Sequence, residues 1–134
     1  MYRITRELHL SYGHRLLSHP GKCAALHGHN GVVVLTLEAE DLDAHGMVTD
    51  FQDIRASMGL WIDREVDHRM ILRRDDPAVA PLEALGEPLL LVDFDPTAEN
   101  LARLMFDKAR DLGLPVAEVR FVETPTCWAT FRRS

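Results

Sequence analysis

Histidines and a cysteine lie unusually close together in the stretch CAALHGHN, residues 23–30. Successive side chains of an extended chain alternate between its two sides, so residues i and i+2 share a side. His27 and His29 would therefore present two imidazoles next to each other, and Gly28 removes bulk between them. Paired imidazoles of this kind are typical of a metal site, which needs at least one more ligand.

His14 is the candidate for the third ligand. It ends the first predicted strand, and a hairpin-like return through residues 18–25 would bring it opposite His27 and His29. Three neutral imidazoles with an open fourth position are the zinc arrangement used for catalysis, whereas structural zinc is usually closed by four ligands. We therefore predict that these three histidines bind Zn²⁺. The alternative is that these histidines have no functional role, which is how we interpret His9, His19 and His45.

Cys23 has two possible roles beside such a site. As a fourth ligand it would close a structural centre of one thiolate and three imidazoles. As a free thiol near the metal it would be favoured in its thiolate form and could act as a general base. The spacing of Cys23 from His27 and His29 is compatible with both roles. The second cysteine, Cys127, lies 104 positions away, so we expect no structural disulfide and predict a buried thiol.

The Asp67–His68 pair and Glu123 complete the set of candidate groups. Asp67 and His68 follow the first predicted helix, where such a pair either orients a ring and its proton or forms a helix-end salt bridge. Glu123 shares the apolar face of Val119 and Phe121 if its strand is regular. An unpaired carboxylate there is costly, so it would need an arginine or a ligand with two adjacent N–H groups. If the strand ends early, Glu123 is simply exposed.

The composition indicates one globular domain spanning residues 1–134. The chain is 46% hydrophobic and carries a formal net charge of -6, which argues against a broad basic surface for nucleic acid or an anionic membrane. Arg3, Arg6 and Glu7 interrupt the N-terminal residues, so we expect neither a signal peptide nor a membrane-spanning segment. These features predict a soluble cytoplasmic protein.

The periodicities predict the order β-β-α-α-β-β. Alternating apolar residues indicate strands over residues 2–14 and 31–39, and a closing hairpin over residues 116–123 and 126–132. Helical stripes follow Asp50 and Thr97, each a plausible N-cap. Residues 73–96 contain four prolines and read as a long loop with a short helical turn. We expect an α+β fold, a four-stranded antiparallel sheet with two helices on one face.

At this point the motifs resemble a known family, that of 6-pyruvoyl-tetrahydropterin synthase and 6-carboxy-tetrahydropterin synthase. The resemblance covers nearly the whole chain, and its most specific parts are C-x-x-x-H-G-H with the upstream histidine and D-H. The matching motifs are YGHRL (12–16), CAALHGHN (23–30), MVTDF (47–51), VDHR (66–69), PTAEN (96–100) and ETPT (123–126).

The resemblance implies a fold and a role for each residue. The family has the tunnelling fold, in which β-β-α-α-β-β subunits associate into an oligomeric barrel, typically a trimer stacked into a homohexamer with active sites between subunits. By resemblance, His14, His27 and His29 bind zinc and Cys23 is the catalytic base. Asp67 and His68 complete the proton relay, and Glu123 anchors the pterin.

The resemblance also implies an activity, that of a zinc-dependent carbon–oxygen or carbon–carbon lyase acting on 7,8-dihydroneopterin triphosphate. We favour 6-carboxy-5,6,7,8-tetrahydropterin synthase, which releases acetaldehyde and triphosphate on the route to queuosine and other deazapurines. The alternatives are 6-pyruvoyl-tetrahydropterin synthase, which eliminates triphosphate, and a non-catalytic zinc- and pterin-binding paralogue. A zinc hydrolase is a further rival class, and it would not need Cys23.

Two positions depart from the family pattern. Many members carry an aromatic residue where Gly31 stands, so a packing contact beside the metal is either missing or supplied elsewhere. Gly13 replaces a commoner alanine before the first zinc histidine. Neither departure removes a chemical group. Candidate cations for the triphosphate flank the proposed site, although surface roles are commoner for such residues: Arg15, Lys22 and Arg69.

Overall fold

Two long strands form the centre of the sheet. In the computed structural model, which describes residues 1–133, β1 (Tyr2–His14) and β2 (His27–Ala39) pair antiparallel. Their register runs without a shift from Tyr2 opposite Ala39 to His14 opposite His27. The alternation in both strands places apolar side chains on one face, as the sequence predicts, and β2 begins at His27 rather than at Gly31.

Four further strands extend this pair on both sides. β5 (Val116–Thr124) pairs antiparallel with β2, and β6 (Cys127–Arg132) pairs antiparallel with β5. On the other side β3 (Arg69–Arg73) runs parallel to β1, and β4 (Leu89–Val92) runs parallel to β3. The order across the sheet is β4-β3-β1-β2-β5-β6.

The prediction of a four-stranded antiparallel sheet was therefore wrong in two respects. Within residues 1–133 the sheet has six strands and is mixed, because β3 and β4 add parallel pairings. Both are short, continuous apolar runs, Met70–Leu72 and Leu89–Val92, rather than alternating segments. A run of this kind is typical of a strand buried in a parallel arrangement, and it carries no two-residue period that would separate it from a loop.

Helices pack against one face of the sheet, as predicted. The first helical segment is continuous through α1 (Phe51–Ile54), a π-helical turn (Arg55–Gly59) and α2 (Leu60–Glu65), and the Asp50 side chain caps it by accepting from the Gln52 amide. A short helix, α3 (Val79–Ala84), lies in the predicted loop. The longest helix, α4 (Ala98–Asp111), begins at the predicted cap, Thr97. None of the helices within residues 1–133 has the length and apolar composition needed to cross a membrane.

The core lies between this helical layer and the sheet. Side chains from β1, β2, β5 and the helices form one hydrophobic cluster, and its largest fully buried members include Leu35, Ile54, Met105, Phe106 and Phe121. His14 of β1 and His27 and His29 of β2 continue the core-facing side of their strands. The metal-site candidates therefore lie at one end of the core rather than on the solvent face.

An ion pair fixes the segment that follows His14. Arg15 donates two hydrogen bonds to the Asp76 carboxylate, with 2.8 Å between Nε and Oδ2. The Asp76 side chain is only 1% exposed, and it also accepts from the Ala78 amide. The Arg15 hydrogen bond, although opposed by burial, holds the pKa of Asp76 below its ordinary value. This pair ties the end of β1 to the connection between β3 and α3.

Truncating Leu35 tests the position of the core. Leu35 is 0% exposed, so we expect Leu35→Ala to lower the free energy of unfolding by about 2–5 kcal/mol, through lost burial and the cavity left behind. Leu85 is 75% exposed, and Leu85→Ala serves as the control, with an expected change within about 0.5 kcal/mol. Urea unfolding measures both. Equal effects of the two substitutions would contradict this core.

Asp76→Asn tests the ion pair through its pH dependence. Because the pKa of Asp76 is depressed in the fold, the pair stabilises at neutral pH, and this contribution disappears as pH falls through the folded-state pKa. We expect Asp76→Asn to lower the free energy of unfolding by about 1–3 kcal/mol at pH 7. The gap to wild type should narrow below about pH 4. Asp75→Asn, at an exposed ion pair, is the control; a pH-independent gap for Asp76→Asn would refute the assignment.

Candidate metal centre

Three imidazoles meet at the end of the β1–β2 pair. Ligand nitrogens of His14, His27 and His29 all lie within 4.8 Å of one another. The ring centroids are 4.6–5.1 Å apart, and the rings are steeply tilted against each other. Inclined rings that converge on one point can direct three lone pairs at a single cation. The structure thus brings together the three histidines that the sequence singled out.

The strand register is what assembles this cluster. His14 is the direct cross-strand partner of His27, and Tyr12 is the partner of His29. Directly opposite side chains in an antiparallel pair lie on the same face, so the two-residue period puts all three imidazoles on the core side. His14 is 2% exposed, whereas His27 and His29 lie at intermediate depth.

Hydrogen bonds to backbone carbonyls determine the tautomer of two rings. Nδ1 of His14 lies 2.7 Å from the Pro96 carbonyl oxygen, and Nδ1 of His27 lies 2.7 Å from that of Ala25. Because a carbonyl only accepts, each Nδ1 must carry the hydrogen. In the neutral rings Nε2 then has a free lone pair. This is the tautomer that a metal-binding histidine needs, and the partner on the other nitrogen also fixes the ring orientation.

Burial acts on the pKa of two of the three histidines. It lowers the pKa of His14, against the opposing effects of the Pro96 carbonyl and Glu123. Burial also lowers the pKa of His29, although Glu123 acts in the other direction. A neutral imidazole can accept a metal ion at Nε2, the nitrogen that the carbonyl contacts leave free in His14 and His27. The donor set, three nitrogen ligands with a partly open surrounding, fits a zinc-type ion.

The N-terminus of α4 supplies the carbonyl that holds His14. Thr97 Oγ1 accepts from the Asn100 amide, and the Asn100 side chain donates to the Asp95 carbonyl at 2.9 Å. These bonds fix the turn on which Pro96 lies. The PTAEN segment therefore acts on the cluster through a backbone carbonyl, a contact that sequence reasoning could not anticipate.

Cys23 lies close to the cluster in sequence but outside it in space. It sits in a short 3-10 helix, Lys22–Ala24, on the connection from β1 to β2, and is partly exposed. Its carbonyl accepts from the Leu16 amide at 2.7 Å, which closes this connection. Within residues 1–133 the group able to hold a metal consists of the three histidines alone. This arrangement corresponds to the free-thiol alternative.

Asp67 and His68 form a pair of their own, and it does not join the histidine cluster. His68 Nδ1 lies 2.9 Å from Asp67 Oδ2, and the other oxygen of Asp67 accepts from the Ser11 amide. Partial burial acts to raise the pKa of Asp67, but Ser11 and His68 outweigh it and hold that pKa below its ordinary value. The His68 side chain is 79% exposed, so the imidazole is presented outward from this chain.

Glu123 does lie beside the cluster. Its strand continues through Thr124, and its Oε1 atom is 3.4 Å from His14 Nε2 and 3.6 Å from His29 Nε2. The same oxygen is 3.5 Å from the Tyr12 hydroxyl. The side chain is 26% exposed. Glu123 is thus neither on a regular strand nor simply exposed: the pairing of β5 with β6 shifts between Val122 and Thr124, and the side chain still lies beside the cluster. Its neighbours are a tyrosine and two histidines rather than an arginine.

Tyr12 is the neighbour that sequence reasoning missed. It is 3% exposed, and its ring contacts those of His14, His29 and Phe121 at centroid distances of 5.2–5.6 Å. Burial raises the pKa of its phenol and Glu123 raises it further, so the hydroxyl keeps its proton. Tyr12 and His14 are two residues apart on β1 and so share a face of the strand, and this spacing was the sequence signal that could have identified Tyr12.

Other predicted residues have structural partners. Arg15 is bound to Asp76, and Arg69 donates to the Leu89 and Arg64 carbonyls. Two of the three candidate cations for a triphosphate are thus engaged in holding the fold.

Cys127 was predicted to be buried, which was wrong; it is exposed at the start of the edge strand β6.

Comparison with known proteins gives one consistent family. The sequence matches the profile described as 6-pyruvoyl tetrahydropterin synthase over residues 3–134. A protein of Rickettsia typhi named 6-carboxy-5,6,7,8-tetrahydropterin synthase is 34% identical over 135 residues, which cover 96% of this chain and 98% of that protein.

Solved structures share the fold. An uncharacterized protein from Wolinella succinogenes superposes with a TM-score of 0.83 at 29% identity, covering 99% of this chain and 98% of that one. The 6-pyruvoyl tetrahydropterin synthase of Caenorhabditis elegans superposes with a TM-score of 0.72 at 28% identity, covering 99% and 96%.

Replacing His14 tests the centre. We expect the wild-type chain to bind about one Zn²⁺, and His14→Ala to weaken that binding by at least about 100-fold, because it removes one of three ligands. His19→Ala is the matched control, since His19 hydrogen-bonds the Gly21 amide outside the cluster. Competition titration with a chelating dye measures the affinities. Unchanged zinc affinity in His14→Ala would show that the metal binds elsewhere.

Proposed function

The chain belongs to the 6-pyruvoyl tetrahydropterin synthase family, and from this premise we propose that it is a 6-carboxy-5,6,7,8-tetrahydropterin synthase. In the proposed reaction 7,8-dihydroneopterin triphosphate and water give 6-carboxy-tetrahydropterin, acetaldehyde and triphosphate. Relatives with this name match nearly the whole chain at 30–34% identity. The observation that carries the proposal is the histidine cluster with Glu123 beside it.

His14, His27 and His29 would hold a zinc ion in this proposal. Their support is the convergence of three ligand nitrogens and the carbonyl-fixed tautomers of two rings. Zinc supplies a Lewis acid that polarises substrate hydroxyls and acidifies the neighbouring C–H bonds. The protein contributes fixed ring orientations, through the Pro96 and Ala25 carbonyls, so that the ligands need no rearrangement when the ion binds.

Cys23 is the proposed general base. A base must be free of the metal and close to the substrate, and the thiol lies outside the histidine group on the connection that precedes His27. The thiol is partly exposed, so substrate can approach it. Its role would be to remove a proton from the carbon side chain of the pterin.

Asp67 and His68 are the proposed proton relay. The Asp67–His68 contact, 2.9 Å long, orients the imidazole. Since this ring points outward from its own chain, we propose that it serves a site formed with another copy in a trimer or hexamer. The sheet of this chain ends at β4 on one side and at β6 on the other, and edge strands of this kind can pair with another chain.

Glu123 is the proposed anchor for the pterin ring. The 2-amino group and the adjacent ring N–H form a paired donor edge, which a carboxylate accepts with both oxygens. A partly exposed carboxylate next to the histidine cluster can hold the ring while the pterin side chain reaches the metal.

A cytoplasmic location and a place on the queuosine route remain predictions from the sequence.

Product identification tests the activity. We expect the zinc-loaded protein to convert 7,8-dihydroneopterin triphosphate to 6-carboxy-tetrahydropterin with release of acetaldehyde, both measured by mass spectrometry. Cys23→Ala should keep zinc and lose at least about 100-fold in turnover, since it removes the base. Cys127→Ala, the other cysteine of the chain, is the matched control and should retain turnover.

Three outcomes would point elsewhere. Triphosphate release with 6-pyruvoyl-tetrahydropterin and no acetaldehyde would identify the 6-pyruvoyl branch, the activity named for the Caenorhabditis elegans neighbour. Zinc and pterin binding without turnover would identify a non-catalytic paralogue. Wild-type turnover in Cys23→Ala would refute the base assignment.

A further inference from the structure

Tyr12 occupies space that a side chain at position 31 would need. Gly31 lies on the same face of β2 as His29, next to Tyr12 across the β1–β2 pair. A Cβ atom at position 31 would lie 2.9 Å from Tyr12 Cε1 and 3.2 Å from the Val122 carbonyl oxygen. Real Cβ atoms do not approach a ring carbon that closely. The packing contact that an aromatic residue at position 31 would make beside the cluster is therefore supplied by Tyr12 from the neighbouring strand.

The position of this ring places a hydroxyl beside Glu123. The ring is enclosed by His14, His29 and Phe121, so it has little freedom to move. Its hydroxyl lies 3.5 Å from Glu123 Oε1, at the long end of hydrogen-bond geometry. In the absence of substrate, hydrogen bonds in active sites are often long and tighten on binding. A buried phenol needs a partner, and within residues 1–133 Glu123 is its side-chain partner.

Tyr12 is also the neighbour of Glu123 best able to donate. Oε1 of Glu123 has three polar side-chain neighbours in the described chain, Tyr12, His14 and His29. Nδ1 of His14 holds that ring's hydrogen against Pro96, so Nε2 of the neutral ring is an acceptor. An imidazole nitrogen that binds a cation likewise has no hydrogen to give. The Tyr12 hydroxyl keeps its hydrogen in either case.

We propose that Tyr12 is a positioning residue for the pterin: its hydroxyl holds the Glu123 carboxylate, and the missing side chain of Gly31 makes room for its ring. This inference rests on the proposed function, because it assigns Glu123 to the pterin. A glutamate has three rotatable bonds, and a rigid donor restricts the positions of its carboxylate. Pre-arranged in this way, Glu123 loses less freedom when the ring binds.

Removing the hydroxyl alone tests the proposal. Tyr12→Phe keeps the ring, and we expect a 5- to 10-fold rise (about 1 kcal/mol) both in the Kd for neopterin and in the KM for 7,8-dihydroneopterin triphosphate. The kcat should change less than about 2-fold, and zinc content should not change. Fluorescence titration of the zinc-loaded protein with neopterin gives the affinity. Tyr2→Phe is the matched control, because Tyr2 is the other tyrosine and is 51% exposed at the far end of β1.

A second background separates positioning from general structural damage. If Tyr12 acts through Glu123, then Tyr12→Phe should weaken neopterin binding less than about 2-fold further in a Glu123→Ala background. A structural defect would weaken binding by the same factor in both backgrounds. That result would overturn the proposal, as would wild-type affinity in the single Tyr12→Phe variant.

The packing half of the proposal has its own measurement. Tyr12→Ala and Gly31→Phe should each lower Tm, because one leaves a gap and the other clashes. The double variant Tyr12→Ala/Gly31→Phe should recover part of that loss, because the ring is supplied from β2. Its neopterin affinity should stay as weak as that of Tyr12→Phe, since no hydroxyl faces Glu123. Additive losses in Tm, or restored affinity in the double variant, would refute the coupling.

Failure of this inference is distinguishable from failure of the proposed function. A wild-type protein that neither binds neopterin nor turns over the triphosphate would reject the function, and the role of Tyr12 with it. A wild-type protein that does both, beside an unchanged Tyr12→Phe variant, would reject the role of Tyr12 alone.

Discussion

The register between β1 and β2 is the constraint on which the rest of the molecule depends. Thirteen cross-strand pairs run without a shift and end with His14 opposite His27. A slip of one residue would move every side chain of one strand to the other face, taking core residues and metal-site candidates together. Core packing therefore stabilises the site as well. The apolar residues buried against the helices fix the register, and the register holds the imidazoles in place at the end of the same strands.

Contacts around the histidines determine which of their ring nitrogens can bind a metal ion. Strand pairing brings the rings together, but it does not decide which nitrogen carries a hydrogen. The Pro96 and Ala25 carbonyls do that for His14 and His27, and α4 holds Pro96 through its own N-terminal cap. The Arg15–Asp76 pair anchors the chain directly after His14. Helix, loop and strand thus meet at one ring, which explains how a site at the end of a sheet stays ordered.

Sequence periodicity predicted the elements that position the site and missed those that support it. The two-residue period revealed β1, β2, β5 and β6, and the helical stripes and caps revealed the segments after Asp50 and Thr97. Strands β3 and β4 escaped, because uninterrupted apolar runs near prolines show neither period. Chemistry was predictable where side chains alone carry it, as for the three histidines. Contacts through a carbonyl, or across strands as between Tyr12 and Gly31, require the register and cannot be read from residue types.

The backbone at His68 limits how this residue can be studied. Its φ angle is 61°, the left-handed region that asparagine and glycine adopt readily and other residues adopt at a cost. The amide of His68 donates to the Ser11 carbonyl at 2.7 Å, so neighbouring contacts enforce this conformation. Alanine has the same Cβ atom and therefore the same backbone cost of about 1–2 kcal/mol, but it lacks the polar side chain of the residues that favour this region, histidine and asparagine among them. Asparagine tolerates the same dihedral angles, and it is therefore the substitution that isolates the contribution of the ring.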